Sequence, residues 1–129
     1  PFFADSPEER KMLHLDDKRI LTELTLLVNR VSDCLENNNL GEAAGSLYEF
    51  IWHTFADKHL ENLKHRVQNT DLNVNADSIQ ALSVGRHVYL TVLKLLHPFM
   101  PFVTEEIWSK IPRKKSDMLI VSSWPKKGV

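Results

Sequence analysis

Pro98 and Pro101 lie three residues apart in the run His97-Pro98-Phe99-Met100-Pro101-Phe102-Val103-Thr104-Glu105-Glu106-Ile107-Trp108. Each proline lacks an amide donor and restricts the residue before it, so no continuous helix can cross this stretch. Thr104, followed by Glu105 and Glu106, has the form of a helix start. Its hydroxyl can cap free amides, and the carboxylates sit at the positive end of the helix dipole. Ile107, Trp108 and Ile111 would give that helix an apolar stripe. The expectation is a helix ending near Leu96, a rigid apolar elbow, and a short helix from Thr104 to Ile111.

Upstream, Ile20, Leu21, Leu24, Leu27, Val28, Val31 and Leu35 recur at three- and four-residue intervals, which predicts a long amphipathic helix beginning near Asp16 and Asp17. Asn37, Asn38 and Asn39 should end it, because asparagine tolerates the left-handed conformation and its amide competes with the backbone. A second helix is expected from about Leu40 to His65 or Arg66. Its broad apolar set is Ala43, Ala44, Leu47, Tyr48, Ile51, Trp52, Phe55, Leu60 and Leu63, implying more than one neighbour. Gln68 to Asn75 reads as a loop. A third helix should follow Asp77 or Ser78, with Ile79, Leu82, Tyr89, Val92, Leu93 and Leu96 inward. Gly85 in its middle costs about 1 kcal/mol against alanine; it either permits a close helix approach or is merely tolerated. Ser6-Pro7-Glu8-Glu9 has the form of a helix cap opening a short piece. Leu119-Ile120-Val121 is β-prone but alone, so an extended path across the bundle is expected. The fold class is therefore all-α, an antiparallel helical bundle with a short extended C-terminal segment.

At 129 residues the chain suits one domain with one core. Its longest apolar run, Val88 to Leu96, contains Lys94 and is too short to cross a bilayer. No secretory signal is visible at the N-terminus. A start at Pro1 instead of Met suggests a piece of a larger protein. Cys34 is the only cysteine, which excludes an intrachain disulfide, and its register with Val31 and Leu35 predicts a buried thiol.

Little in the chain has the form of an active site. His53, His59 and His65 are each six residues apart, about 600° of helical rotation, so they splay instead of converging on a metal. Neither Cys-x-x-Cys nor His-Glu-x-x-His occurs. There is no Gly-x-Ser-x-Gly elbow and no phosphate-cradling glycine loop. Glu105 and Glu106 are explained by their place in a first helical turn, and His97 by packing in the elbow. No catalytic residue is assigned.

Charge carries more information. Residues 1–50 hold 10 acidic and 5 basic groups, and residues 51–129 hold 7 acidic and 11 basic. From Lys110 onward six basic groups face Asp117 alone. A positive half can recruit phosphates by counterion release, although from charge alone a solvated tail is the simpler reading. Lys58, Lys64, His65 and Arg66 gather toward the end of the second helix, Arg19 and Arg30 lie on the polar face of the first, and Arg86 lies on the third. Tyr48, Trp52, Phe55, Tyr89 and Trp108 could stack on bases, as nucleic-acid binders require, but at helical spacing they read as core residues. Trp124, in a basic segment, is the better candidate for an exposed ring.

The run Leu95 to Trp108 resembles the helix-turn-helix of the anticodon-binding domain of class I aminoacyl-tRNA synthetases, and is most similar to the valyl enzymes. Ala43-Ala44, Leu47-Tyr48-Glu49-Phe50-Ile51-Trp52-His53, Phe55-Ala56-Asp57, Leu60-Glu61 and Lys64 resemble the second long helix of that domain. Asp17-Lys18-Arg19-Ile20-Leu21 falls where the family begins the preceding helix. Together these matches span most of residues 16–125. The resemblance implies recognition of a tRNA anticodon stem-loop by a single helical domain, residues 1–129, of a larger cytoplasmic valine–tRNA ligase.

The catalytic domain of the same polypeptide would be a second partner, and ATP and Mg would belong there. The His-x-Gly-His and Lys-Met-Ser-Lys-Ser motifs of that domain do not occur in these residues, so no ligase activity is expected of this segment. Nor does the family's Trp-Asn-x-x-Arg-Phe-like segment, and Lys58-His59 stand where the family often has Trp-Tyr. Base-reading residues are therefore not carried over. On the cations beside the matched helices, Lys58, Lys64, Arg66 and Arg86 are expected to contact RNA phosphates. The alternative is a standalone helical protein–protein interaction module, which would show an exposed apolar groove and no RNA affinity.

Overall fold

The computed structural model describes residues 15–62, 64, 76–112 and 118–125. The cap at Ser6 to Glu9, the loop at 68–75, Arg66 and most of the basic tail lie outside the described residues.

Helix α1 spans Leu15–Glu36. Its inward stripe is the expected one: Ile20, Leu24, Leu27, Val28, Val31 and Cys34 are buried, with Leu21 and Leu35 packed against them. Each such side chain removed from water contributes about 1.5–3 kcal/mol. The asparagines end the helix as expected. Asn38 adopts φ 58°, and Asn39 caps the next helix by accepting from the Glu42 amide while its own amide donates to the Glu42 carboxylate at 2.7 Å.

Helix α2 spans Leu40–Glu49 and runs on without a break through a π-helical segment, Phe50–His59. Asn62, just beyond the π segment on the same continuous helix, donates to Asp16 at the start of α1 (2.8 Å), so the pair is antiparallel. Buried positions are Ala43, Leu47, Phe50, Phe55 and His59. The five-residue step from Phe50 to Phe55 follows from i→i+5 hydrogen bonding. This corrects the expected face. Tyr48, Trp52 and Leu60, assigned to the core by a 3.6-residue period, are exposed, while Phe50 and His59 take inward positions.

Helix α3 spans Ala76–Leu96. Val92 and Leu93 are buried as expected and Leu96 packs against the core. Ile79, Leu82 and Tyr89 are exposed, and Ala81, Val84, Gly85 and Val88 point inward instead. Two apolar stripes run along this helix about 100° apart; the one made of small and β-branched residues faces the bundle.

Helix α4 spans Pro101–Ser109. Its start differs from the Thr104 cap inferred from sequence: Pro101 occupies the first turn, where a missing amide hydrogen costs nothing. Thr104 is 1% exposed and works from inside. Its hydroxyl donates to the carbonyls of Met100 (2.8 Å) and Pro101 (3.3 Å) and lies 2.9 Å from His97 Nδ1.

Residues Leu119–Val121 form a 3₁₀ turn where an extended run was expected. The Glu105 carboxylate accepts from the amides of Leu119 (2.8 Å) and Ile120 (3.1 Å), which captures the turn. Leu119 then buries with Leu93 and Trp108 in a second, smaller core. The segment does lie across the bundle, for Trp124 Nε1 donates to Ser32 on α1 (2.9 Å). Trp124 is 38% exposed, as expected, although its Nε1 is tethered to Ser32, and Trp108 is buried. The described residues form an all-α bundle in which α1 packs on α2 and α3, and α4 packs on α3.

Candidate nucleic-acid interface

A groove of about 970 Å³ runs between α1 and α2. Leu27 and Phe50, both buried, form its floor, and Leu26, 62% exposed, forms one wall. Along α1, Glu23, Leu26, Leu27 and Arg30 recur at three- and four-residue intervals and so share one side of the helix. Facing them from α2 are Glu42, Tyr48, Glu49, His53 and Lys58. His53 sits between Glu49 (3.9 Å) and Asp57 (3.7 Å), one turn away on either side.

Of the four cations singled out in the sequence, Lys58, Lys64 and Arg86 fall on described residues. Lys58 is exposed and lines the groove. Lys64 is exposed on the same helix, 3.8 Å from Glu61, a surface pair of small energetic weight. Arg86 is exposed on α3, is not among the groove's lining residues, and its guanidinium donates to the Pro112 carbonyl, tying α3 to the end of α4. Arg66 lies outside the described residues. Arg30 is the cation that sequence reasoning left among the general polar-face residues; its seven-residue offset from Glu23, flanking Leu26 and Leu27, was the available signal.

The histidines do not converge: His53 is exposed and His59 is buried, stacked on Phe55 at 5.8 Å. Among the described residues no group of three or more His, Cys, Asp or Glu is placed to hold a metal. Nor, among them, is any helix long and apolar enough to cross a membrane. Cys34 is buried, and burial first, then the Glu42 carboxylate, raise its thiol pKa, with Arg30 opposing.

Residues 17–129 match the family model described as the anticodon-binding domain of tRNA ligase. The chain belongs to that family. Its similar relatives include the valine–tRNA ligase of Carboxydothermus hydrogenoformans, 41% identical over 124 residues, covering 96% of this chain and 14% of the relative. The valine–tRNA ligase of Petrotoga mobilis is 38% identical over 114 residues, covering 88% and 13%. A chloroplastic/mitochondrial valine–tRNA ligase of Arabidopsis thaliana is 36% identical over 121 residues, covering 94% and 12%. The chain thus spans less than a sixth of the length of each of these relatives. In this anticodon-binding domain, the elbow and the α1–α2 pair that carried the resemblance are the elements that organise the two cores.

Proposed function

We propose that this domain binds the anticodon stem-loop of a tRNA as one part, residues 1–129, of a longer valine–tRNA ligase acting in the cytoplasm. The family match over residues 17–129 is the observation that carries the reading. Ligase chemistry, with its ATP and Mg, belongs to the catalytic domain of the parent polypeptide, which is also the partner against which this bundle is held. Lys58 and Lys64, both exposed on one helix, are proposed phosphate contacts. Arg66 and Arg86 are proposed to extend them; Arg86 spends one donor on Pro112 and, with five N–H groups, retains others for an RNA oxygen.

The test is the tRNA affinity of the full-length parent protein against salt concentration, with each cation replaced in turn by alanine. A phosphate contact carries about 0.7–0.9 of slope in log K against log salt. An unchanged slope on losing Lys58 or Lys64 removes that residue from the interface. A second reading, a standalone protein-interaction module, draws on the exposed apolar wall at Leu26 and Tyr48. It requires that the protein show no affinity for tRNA at all.

A further inference from the structure

We propose that the proline elbow between α3 and α4 is a docking knob for an apolar surface elsewhere in the same polypeptide, with Phe102 as its anchor. The inference deepens the reading above and rests on its claim that this domain is one part of a longer chain.

The elbow is held still by its own backbone. The amides of Phe99 (2.9 Å) and Met100 (3.0 Å) both donate to the Leu96 carbonyl, and the Thr104 amide donates to the Met100 carbonyl (3.1 Å). Pro98 and Pro101 have fixed φ angles, and Phe99 packs against the main core. What this frame presents to solvent is nevertheless apolar. Phe102 is 90% exposed, and Met100, Val103 and both prolines are exposed beside it. One exposed apolar residue is ordinary, but four in succession, Met100 to Val103, form a patch that marks a contact surface. A ring on a rigid backbone has little freedom left to lose on contact, which is the property of an interface anchor.

The charge of the run selects the kind of occupant. Leu95 to Thr104 contains no Lys, Arg, Asp or Glu. The cations that flank it are engaged: Lys94 lies over the Trp108 ring (6.0 Å), and Lys110 is 3.4 Å from Glu106. An RNA backbone at the elbow would find no cation to replace its counterions. An uncharged protein surface needs none.

The elbow also lies away from Lys64. Glu105 holds Leu119 and Ile120, and Trp124, a few residues farther on, reaches Ser32 near the end of α1. Asn62, close to Lys64 in the chain, instead meets Asp16 at the start of α1. From Asp16 to Ser32 is about 24 Å of helix. A protein contact at the elbow therefore leaves the proposed phosphate contact at Lys64 free for RNA. The tether decides between a part of the same chain and a separate molecule. This domain covers only 12–14% of the valine–tRNA ligases above. Attached surfaces meet at effective concentrations in the millimolar range, which a second copy of the protein does not reach.

The experiment uses the full-length parent protein carrying Phe102→p-benzoylphenylalanine, irradiated with and without tRNA over a range of protein concentrations, with cross-linked peptides identified by mass spectrometry. The expected product joins position 102 to a residue of the same chain outside these 129, in a yield that does not change with concentration. In a second measurement, the parent carrying Phe102→Cys is labelled with a maleimide and compared with Thr22→Cys, an exposed position on α1. Each rate is divided by its own rate in urea. Labelling at 102 should be slower than at 22 by a factor of at least about 10, since a covered thiol reacts only when the contact opens.

A cross-link to tRNA, a cross-link between two copies whose yield grows with concentration, no cross-link, or labelling at 102 as fast as at 22 would overturn the proposal. The same parent protein separates it from the RNA reading. A parent that binds tRNA but fails these tests loses the elbow interface alone. A parent that gives the intramolecular product yet has no tRNA affinity loses the RNA reading alone.

Discussion

Replacing Thr104 with valine keeps the shape of the side chain and deletes one buried oxygen. That oxygen is at the centre of the elbow: it donates to Met100 and Pro101 and shares a hydrogen bond with His97 Nδ1 at 2.9 Å. The Met100 carbonyl also accepts from the Thr104 backbone amide at 3.1 Å, so it does not become an orphan. The loss therefore falls mainly on His97, which is only half-buried and can recover part of its hydrogen bonding from water. A net hydrogen bond is worth about 0.5–1.5 kcal/mol and a buried group left unsatisfied about 1–3 kcal/mol, which brackets Thr104→Val at about 1–2 kcal/mol of destabilisation. With about 2.1 cal/mol/K of unfolding entropy per residue, each kcal/mol lowers Tm by about 4 °C in a chain of this length.

The assay is thermal and urea unfolding of the 129-residue chain followed by circular dichroism. A cycle with His97→Ala should show a coupling of about 0.5–1.5 kcal/mol between the two side chains. If Thr104→Val changes stability by less than about 0.3 kcal/mol, or the cycle shows no coupling, the elbow is held by its prolines and apolar contacts alone and the hydroxyl argument fails.

Glu105→Ala removes the acceptor for the Leu119 and Ile120 amides; it should cost about 1.5–3 kcal/mol and raise hydrogen exchange at both, and unchanged exchange would contradict the capture. Asn38, at φ 58°, should accept glycine with little loss, whereas alanine costs about 1–2 kcal/mol in urea unfolding. Trp124→Phe should lose about 1 kcal/mol through its bond to Ser32, an effect that Ser32→Ala should largely remove when both are combined. The Cys34 thiol, raised chiefly by burial, should react with a disulfide reagent at pH 8.5 far more slowly in the folded chain than in urea. Since the folded pKa lies above the unfolded one, the thiol's contribution to stability is intact below the ordinary value of about 8.5 and declines as pH climbs past it; replacing Cys34 with alanine should flatten that decline.

Helix α1 was legible because its apolar residues form one stripe; any fold that buries the helix must bury that face. The asparagine turn and the proline elbow were legible for a similar reason, since backbone chemistry at those positions admits few alternatives. The groove was not. Helix α3 offers two apolar stripes, one of Ile79, Leu82 and Tyr89 and one of Ala81, Val84 and Val88, and periodicity gives no ground for choosing the smaller residues. In α2 the π segment adds a residue to the hydrogen-bonded turn, so a 3.6-residue count assigns Trp52 and Leu60 to the wrong side.

Local chemistry, then, was enough to set where the helices stop, how the chain bends and which resemblance it carries, because caps, prolines and a single stripe act within a few residues of themselves. Which aromatics reach solvent, which cations share the groove and where Glu105 finds its partners depended on surfaces brought together from distant parts of the chain. Only packing of α1 against both α2 and α3 selects among faces that are equally apolar in isolation.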